Sequence, residues 1–271
     1  MRIASLQPSV SLTLAALDCL DSLCAVTKYC IDAMPELAAR NLPILSDSWS
    51  FDRATAESGG NLETLLAAKP DLVIASVPYR MESLAAILKC GVPVLALAPR
   101  CLADVYADIR LIAAHVAADP GPLIDRMQDT IAATRARTAH LKPEDRPLVY
   151  CEEWGKPMIH SQAWVAELVE ASGGRFFGTA GAQTDAATVA AADPDVLLFA
   201  WCGAGDRVPL ARVIEQRGWQ NLRAVREGRA HVIPDEFLNT PAPSLLNGLS
   251  CIAAAVHPTI YPPHPRLVAL R

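Results

Sequence analysis

Asp119-Pro120-Gly121-Pro122-Leu123-Ile124-Asp125-Arg126-Met127-Gln128 opens a stretch that runs on to His140-Leu141-Lys142-Pro143. Asp119 can cap a helix, Pro122 fits a first turn, and Pro143 supplies the stop. Leu123, Met127 and Ile131 recur at helical spacing with Ile124 beside them, while Arg126, Arg135 and Arg137 face elsewhere. A long helix over 119–142 with so thin an apolar stripe reads as a strut between two bodies.

The segments on either side echo each other. Leu65-Leu66-Ala67-Ala68-Lys69-Pro70-Asp71 leads into Leu72-Val73-Ile74-Ala75, and Val189 through Asp193-Pro194-Asp195 leads into Val196-Leu197-Leu198-Phe199-Ala200. Each is a helix end, a Pro-Asp turn and an apolar strand of the kind buried on both faces. Such turns are common before buried strands, but the chain length also suits two smaller units. The expected organisation is an α/β lobe over 1–118, a bridging helix over 119–142 and a second α/β lobe over 143–271. Strands and helices alternate through both lobes, which predicts mostly parallel, Rossmann-like sheets with a ligand cleft between the lobes. Residues 31–60 read as a long irregular loop, and the Pro-rich tail as a surface segment.

The 271 residues are 52% hydrophobic and 20% charged with a net charge of −5, which argues against nucleic acid as a partner. No apolar run is long enough to insert into a membrane. Met1-Arg2 leads straight into a strand, so the expectation is a cytoplasmic protein, or a periplasmic or extracellular one if the chain is a trimmed form. Eight scattered cysteines without a Cys-x-x-Cys pair read as reduced thiols, and the chain as a monomer.

Ligands of open α/β sheets sit beyond the carboxyl ends of the strands. The residues placed there are Ser5, Gln7, Ser9, Lys28, Tyr29, Ser76, Tyr79, Arg100, Glu153, Trp154, Trp201, Cys202, Gly203, Phe237 and Asn239, with Trp49 in the long loop. Aromatic faces with a few polar tips suit a large, flat, partly apolar ligand. They also seal the ends of a core. Catalytic patterns are absent: there is no Gly-x-Ser-x-Gly, P-loop, Gly-x-Gly-x-x-Gly after the first strand, or His-Glu-x-x-His. Glu152 and Glu153 are adjacent on a strand and so point to opposite faces, which excludes a carboxylate dyad. Of six histidines, only His160 is placed as a candidate metal ligand.

Several segments resemble the cobalamin-binding branch of the substrate-binding proteins of ABC transporters. They are Arg2 through Ser9, Val26-Thr27-Lys28-Tyr29-Cys30, Leu65 through Val73, Glu153-Trp154, Trp164 through Gly174, Asp193-Pro194-Asp195-Val196, Cys202-Gly203 and Gly218-Trp219 through Gly228-Arg229. The resemblance implies two Rossmann-like lobes joined by one rigid helix, and non-enzymatic binding of a corrinoid, cobalamin or cobinamide, for uptake or intracellular handling. It adds Trp164 to the ligand set and implies a permease partner, for which Glu82 and Glu215 are candidates by position. Corrinoid-binding relatives often carry His at the place of Lys28 and Gly-His where this chain has Gln162-Ala163, so axial ligation by a protein histidine is not implied. The alternative is a ferric siderophore or other metal chelate, with Lys28 and Arg100 meeting an anionic ligand. An enzyme acting on a corrinoid would have to rely on Cys202 or Glu153.

Overall fold

The computed structural model describes residues 1–51 and 60–270. Its contacts divide into two compact α/β units: Met1–Pro99 with Ala103–Ile124, and Arg100–Leu102 with the chain from Asp125 on. In the first unit β1 (Ile3–Ser5), β2 (Leu23–Thr27), β3 (Ile44–Leu45), β4 (Leu72–Ser76) and β5 (Val94–Leu97) form one sheet in the order β3-β2-β1-β4-β5, all parallel. β1, β2 and β4 are buried along their whole length, as their unbroken apolar runs require. Alternate residues feed two cores. Ala4, Leu6, Val73 and Ile87 lie in one, and Ile3, Val10, Val26, Ile74 and Ile112 in the other.

The second unit holds β6 (Leu148–Gly155), β7 (Met158–His160), β8 (Arg175–Phe176), β9 (Gln183–Thr184), β10 (Val196–Phe199), β11 (Ala230–Val232) and β12 (Val268–Ala269). Their order is β12-β11-β10-β6-β7-β9, with β8 on the opening residues of β6. The heart of the sheet, β8, β6, β10 and β11, is parallel. β7, β9 and β12 add antiparallel margins. The tail read as a surface segment thus contributes an edge strand. The expected loop is also shorter than 31–60: Lys28–Ala33 is a helix and Pro35–Arg40 a 3-10 helix, while residues 52–59 lie outside the described residues.

The echo has a structural cause. Asp71 accepts from the Arg2 backbone N–H at 2.7 Å and returns its own N–H to Arg2 O at 2.8 Å. Asp195 does the same with Leu148, at 2.7 and 2.8 Å. Each Pro-Asp turn therefore fixes the start of its unit's first strand beside the incoming strand. The residue before each proline, Lys69 or Asp193, takes a left-handed conformation (φ 49° and 40°) that ends the preceding helix. Alanine at Asp71 or Asp195 is expected to cost about 1 kcal/mol each, read from denaturant midpoints. Asp195, which also pairs with Arg223 at 2.7 Å, should show the larger loss.

The helix expected over 119–142 is Gly121–Arg137. Asp119 Oδ1 accepts from the Gly121 N–H at 2.9 Å, and Leu123, Ile124, Met127 and Ile131 are all buried. Its last turn holds the tail. Tyr261 donates to Thr134 O at 2.7 Å, and the Arg137 guanidinium lies 4.5 Å from the Tyr261 ring. Among the described residues no helix is long and apolar enough to cross a membrane.

On the helix Leu102–Val116, burial and the neighbouring charge of Asp104 push the Asp108 carboxyl from its ordinary 3.8 up to about 6. The folded chain then keeps a proton that the unfolded chain releases near pH 4. Stability attached to this group is present at low pH and is lost as pH rises through 6. Asp108→Asn is expected to gain melting temperature relative to the parent between pH 4 and 7; parallel melting curves would contradict this.

Candidate functional site

The order of each sheet locates a crevice. In the first unit the chain winds from β1 through β2 to β3 and then returns to β4 on the opposite side of β1, so the carboxyl ends of β1 and β4 flank the switch point. Gln7 follows β1 there. Its side-chain amide donates to Ser48 Oγ and to Pro78 O, both at 2.8 Å, tying the β1 exit to two loops. Gln7 and Ser9 are buried, at 7% and 5% exposure, and the amide nitrogen of Gln7 is committed to the loop framework.

The ligand-facing candidates of this unit are aromatic. Tyr29, on the helix Lys28–Ala33 after β2, lies 5.7 Å from Trp49 with the ring planes 32° apart, and the Lys28 ammonium stands 5.0 Å from the Tyr29 ring. Asp47 fixes the Trp49 loop by accepting from the N–H groups of Trp49 (2.9 Å) and Ser50 (2.6 Å). Burial raises the Asp47 carboxyl, but these backbone bonds outweigh it and hold the group below the usual carboxylate range. Tyr79 is half-buried and packs on the core under β4. Arg100 is exposed and clusters with the second unit.

In the second unit the chain goes from β6 to β8 and then to β10 on the other side, so the exits of β6 and β10 flank the switch point. Backbone bonds from Ala200 N to Glu152 O (2.9 Å) and from Cys202 N to Glu153 O (3.1 Å) continue the pairing past the strand end. Glu152 and Glu153 point apart, as their adjacency dictates. Glu152 is fully buried in a cage: Tyr150 donates its hydroxyl, Trp201 Nε1 donates at 2.7 Å, and Arg217 binds both oxygens at 2.7 and 2.8 Å. The guanidinium also lies 4.9 Å from the Trp219 ring. Trp201 is held on its face as well, because a Cβ on Gly155 would sit 2.5 Å from its Cζ2.

Glu153 takes two bonds from Gln162 Nε2, at 3.0 and 2.9 Å; burial pushes its carboxyl up and Gln162 opposes the shift. Burial, with the charges of Glu153 and Asp235 added, pushes the Cys202 thiol up, so it is no ready nucleophile. Asn239 donates to Ala200 O at 2.6 Å and lies 3.3 Å from Cys202 Sγ. Asp235 shapes the loop after β10 by accepting from Gly203 N and Gly205 N, both at 2.7 Å. Both glycines have positive φ, 76° and 59°. Trp154 is 43% exposed, and its indole N–H is satisfied by Lys156 O at 2.8 Å.

Trp201, Trp154 and Cys202 line a cavity of about 790 Å³ together with Arg212, Gln216 and Arg217, on or next to the helix Leu210–Gln216. Lys156 and Gly155 complete the hairpin side. Three expected site residues fall elsewhere. Trp164 is 3% exposed and donates to Leu238 O at 2.8 Å, which makes it part of the core. His160 is buried among the rings of Tyr150, Phe176 and Phe177, and burial lowers its pKa. Among the described residues no three His, Cys, Asp or Glu could together hold a metal. Phe237 is half-buried under Arg266 (5.5 Å) and His264 (6.0 Å). The sequence reading missed Arg217 because it pairs with a carboxylate 65 residues away, while locally it reads as a solvated helix end.

Residues 3–237 match the family described as periplasmic binding protein. An uncharacterized ABC transporter substrate-binding lipoprotein of Bacillus subtilis, YvrC, is 19% identical over 213 residues. That match takes in 74% of this chain and 66% of the relative's own length. A periplasmic heme-binding protein from Pseudomonas aeruginosa shares the fold with a TM-score of 0.78 at 21% identity, covering 100% of this chain and 98% of that one. The periplasmic vitamin B12-binding protein BtuF of Vibrio cholerae does so with a TM-score of 0.67 at 20% identity, covering 94% and 96%. The expectation of a cytoplasmic protein is corrected by these matches: the family is periplasmic and the curated relative is a lipoprotein.

Proposed function

We propose that this chain, which belongs to the periplasmic binding protein family, captures a corrinoid, cobalamin or cobinamide, as the binding component of an ABC transporter. The chain is a binding protein and not an enzyme, as its family is. The observation on which the corrinoid reading rests is the set of aromatic residues at or beyond strand exits in each unit: Tyr29, Trp49 and Tyr79 in one, Trp154 and Trp201 in the other. Flat faces with few polar tips suit a macrocycle, and the resemblance of the quoted segments to cobalamin binders supports the same choice. Residues 1–118 and 143–271 are then the ligand-holding lobes, with 119–142 as the bridge. Lys28 and Ala163 stand where the corrinoid binders that this chain resembles often carry histidine, and neither offers an imidazole. The bound corrinoid therefore keeps its own axial ligands. Glu82 and Glu215 are both exposed, on the helices Met81–Lys89 and Leu210–Gln216, and are the contacts offered to basic side chains of a permease.

A ferric siderophore is the second reading, favoured by the exposed cations Lys28 and Arg100. Thermal melts separate the two. A corrinoid at about a hundred times its Kd should raise the melting temperature by roughly 5–10 °C, with no shift from a ferric hydroxamate. A shift with the hydroxamate alone would replace the first reading by the second.

A further inference from the structure

We propose that the cavity of the second unit is a receptor for an anionic group carried on a flat ligand, and that it selects ligands by that charge. The inference rests on the reading of this chain as a macrocycle-binding protein and names which macrocycles it prefers. Its basis is the charge of the lining. Lys156, Arg212 and Arg217 line the cavity and, among the described residues, no acidic side chain does. Glu152 compensates Arg217 from behind. Lys156 and Arg212 make no ion pair among the described residues. Two uncompensated positive charges therefore meet in one concavity of a protein whose net charge is −5.

The nearest carboxylates are turned to other tasks. Glu153 is clamped by Gln162, and Asp235 is bound to the Gly203 and Gly205 amides. Glu215, three residues from Arg212 on the same helix, forms no ion pair with it. The aromatic walls define the rest of the ligand. Trp154 has its N–H already satisfied by Lys156 O and Trp201 has its N–H bound to Glu152, so each indole offers a face and no donor. A face stacks on a plane, while Arg212 can meet a carboxylate or phosphate edge through two parallel bonds. A cavity of about 790 Å³ admits one such group with part of the ring that carries it.

The test compares ligands that share a macrocycle and differ in charge. Cobyrinic acid carries free carboxylates, cobalamin one phosphodiester, and cobinamide neither. Equilibrium titrations at low salt should show the two corrinoids that carry an anionic group binding about tenfold more tightly than cobinamide. The gap should close in 0.5 M salt and in a Lys156→Gln/Arg212→Gln variant, whose two changes are at exposed positions and should leave the melting temperature unchanged. A preference for cobyrinic acid over cobalamin would identify carboxylate as the favoured group, and the reverse would identify phosphodiester. Equal affinities for all three, or a gap that survives in the variant, would overturn the inference while leaving corrinoid binding intact. If no corrinoid binds, protoporphyrin IX and its dimethyl ester are compared. A preference for the diacid that the variant loses upholds the inference without the corrinoid reading. Failure of both porphyrins to bind overturns it.

Discussion

Arg217→Met is expected to destabilise the second unit by about 3–5 kcal/mol. Glu152 is 0% exposed, and the guanidinium supplies two of its four donors and, among the described residues, its one ion-pair partner, at 2.7 Å. Methionine keeps the apolar stem against Trp219 but leaves an ionised carboxylate in the core with a phenol and an indole N–H alone. The loss should appear as a lower denaturant midpoint with an unchanged slope. Adding Glu152→Gln to the same chain should recover part of it, because the unpaired charge is gone although one amide donor is then unmatched. A single variant that loses less than about 1 kcal/mol would mean that water reaches Glu152 in the folded chain.

Gly155→Ala should have the largest effect on binding. An added Cβ would lie 2.5 Å from Trp201 Cζ2 and 2.9 Å from Cε2 and Cη2, closer than carbon atoms approach, so the indole has to swing off the β6–β7 hairpin. That movement breaks its bond to Glu152 and collapses the cavity wall it forms. We expect corrinoid affinity to fall about tenfold, from the loss of one stacking face, at a stability cost of about 1–3 kcal/mol. Trp201→Phe separates the two contributions, since it keeps a flat wall and removes only the donor. Wild-type affinity in Gly155→Ala would show that the position of Trp201 does not matter to the ligand.

How much was legible in the sequence follows from how local each cause is. The Pro-Asp echo could be read because each turn satisfies the first backbone N–H of a strand, and that chemistry needs only the aspartate and its position. The helix at Gly121–Arg137 was legible from Asp119, the proline positions and four apolar residues that are all buried. Aromatic residues at strand exits could be placed because a parallel strand directs its carboxyl end toward the crevice. Orientation could not: the side-chain nitrogen of Gln7 is taken up by Ser48 Oγ and Pro78 O, and that of Trp164 by Leu238 O. The antiparallel margins β7, β9 and β12 have two or three residues each, too few to show a period. The cationic wall of the cavity was hidden for a third reason. Lys156, Arg212 and Arg217 come from a hairpin turn and one helix, where each alone reads as an ordinary solvated charge.

The most direct measurement is the visible spectrum of the protein after mixing with hydroxocobalamin, cobinamide or a ferric hydroxamate and desalting. Corrinoid capture predicts that the protein peak keeps the corrinoid bands, with positions showing that the ligand retains its own axial groups. A peak that is colourless with both corrinoids and coloured with the ferric chelate would contradict the account.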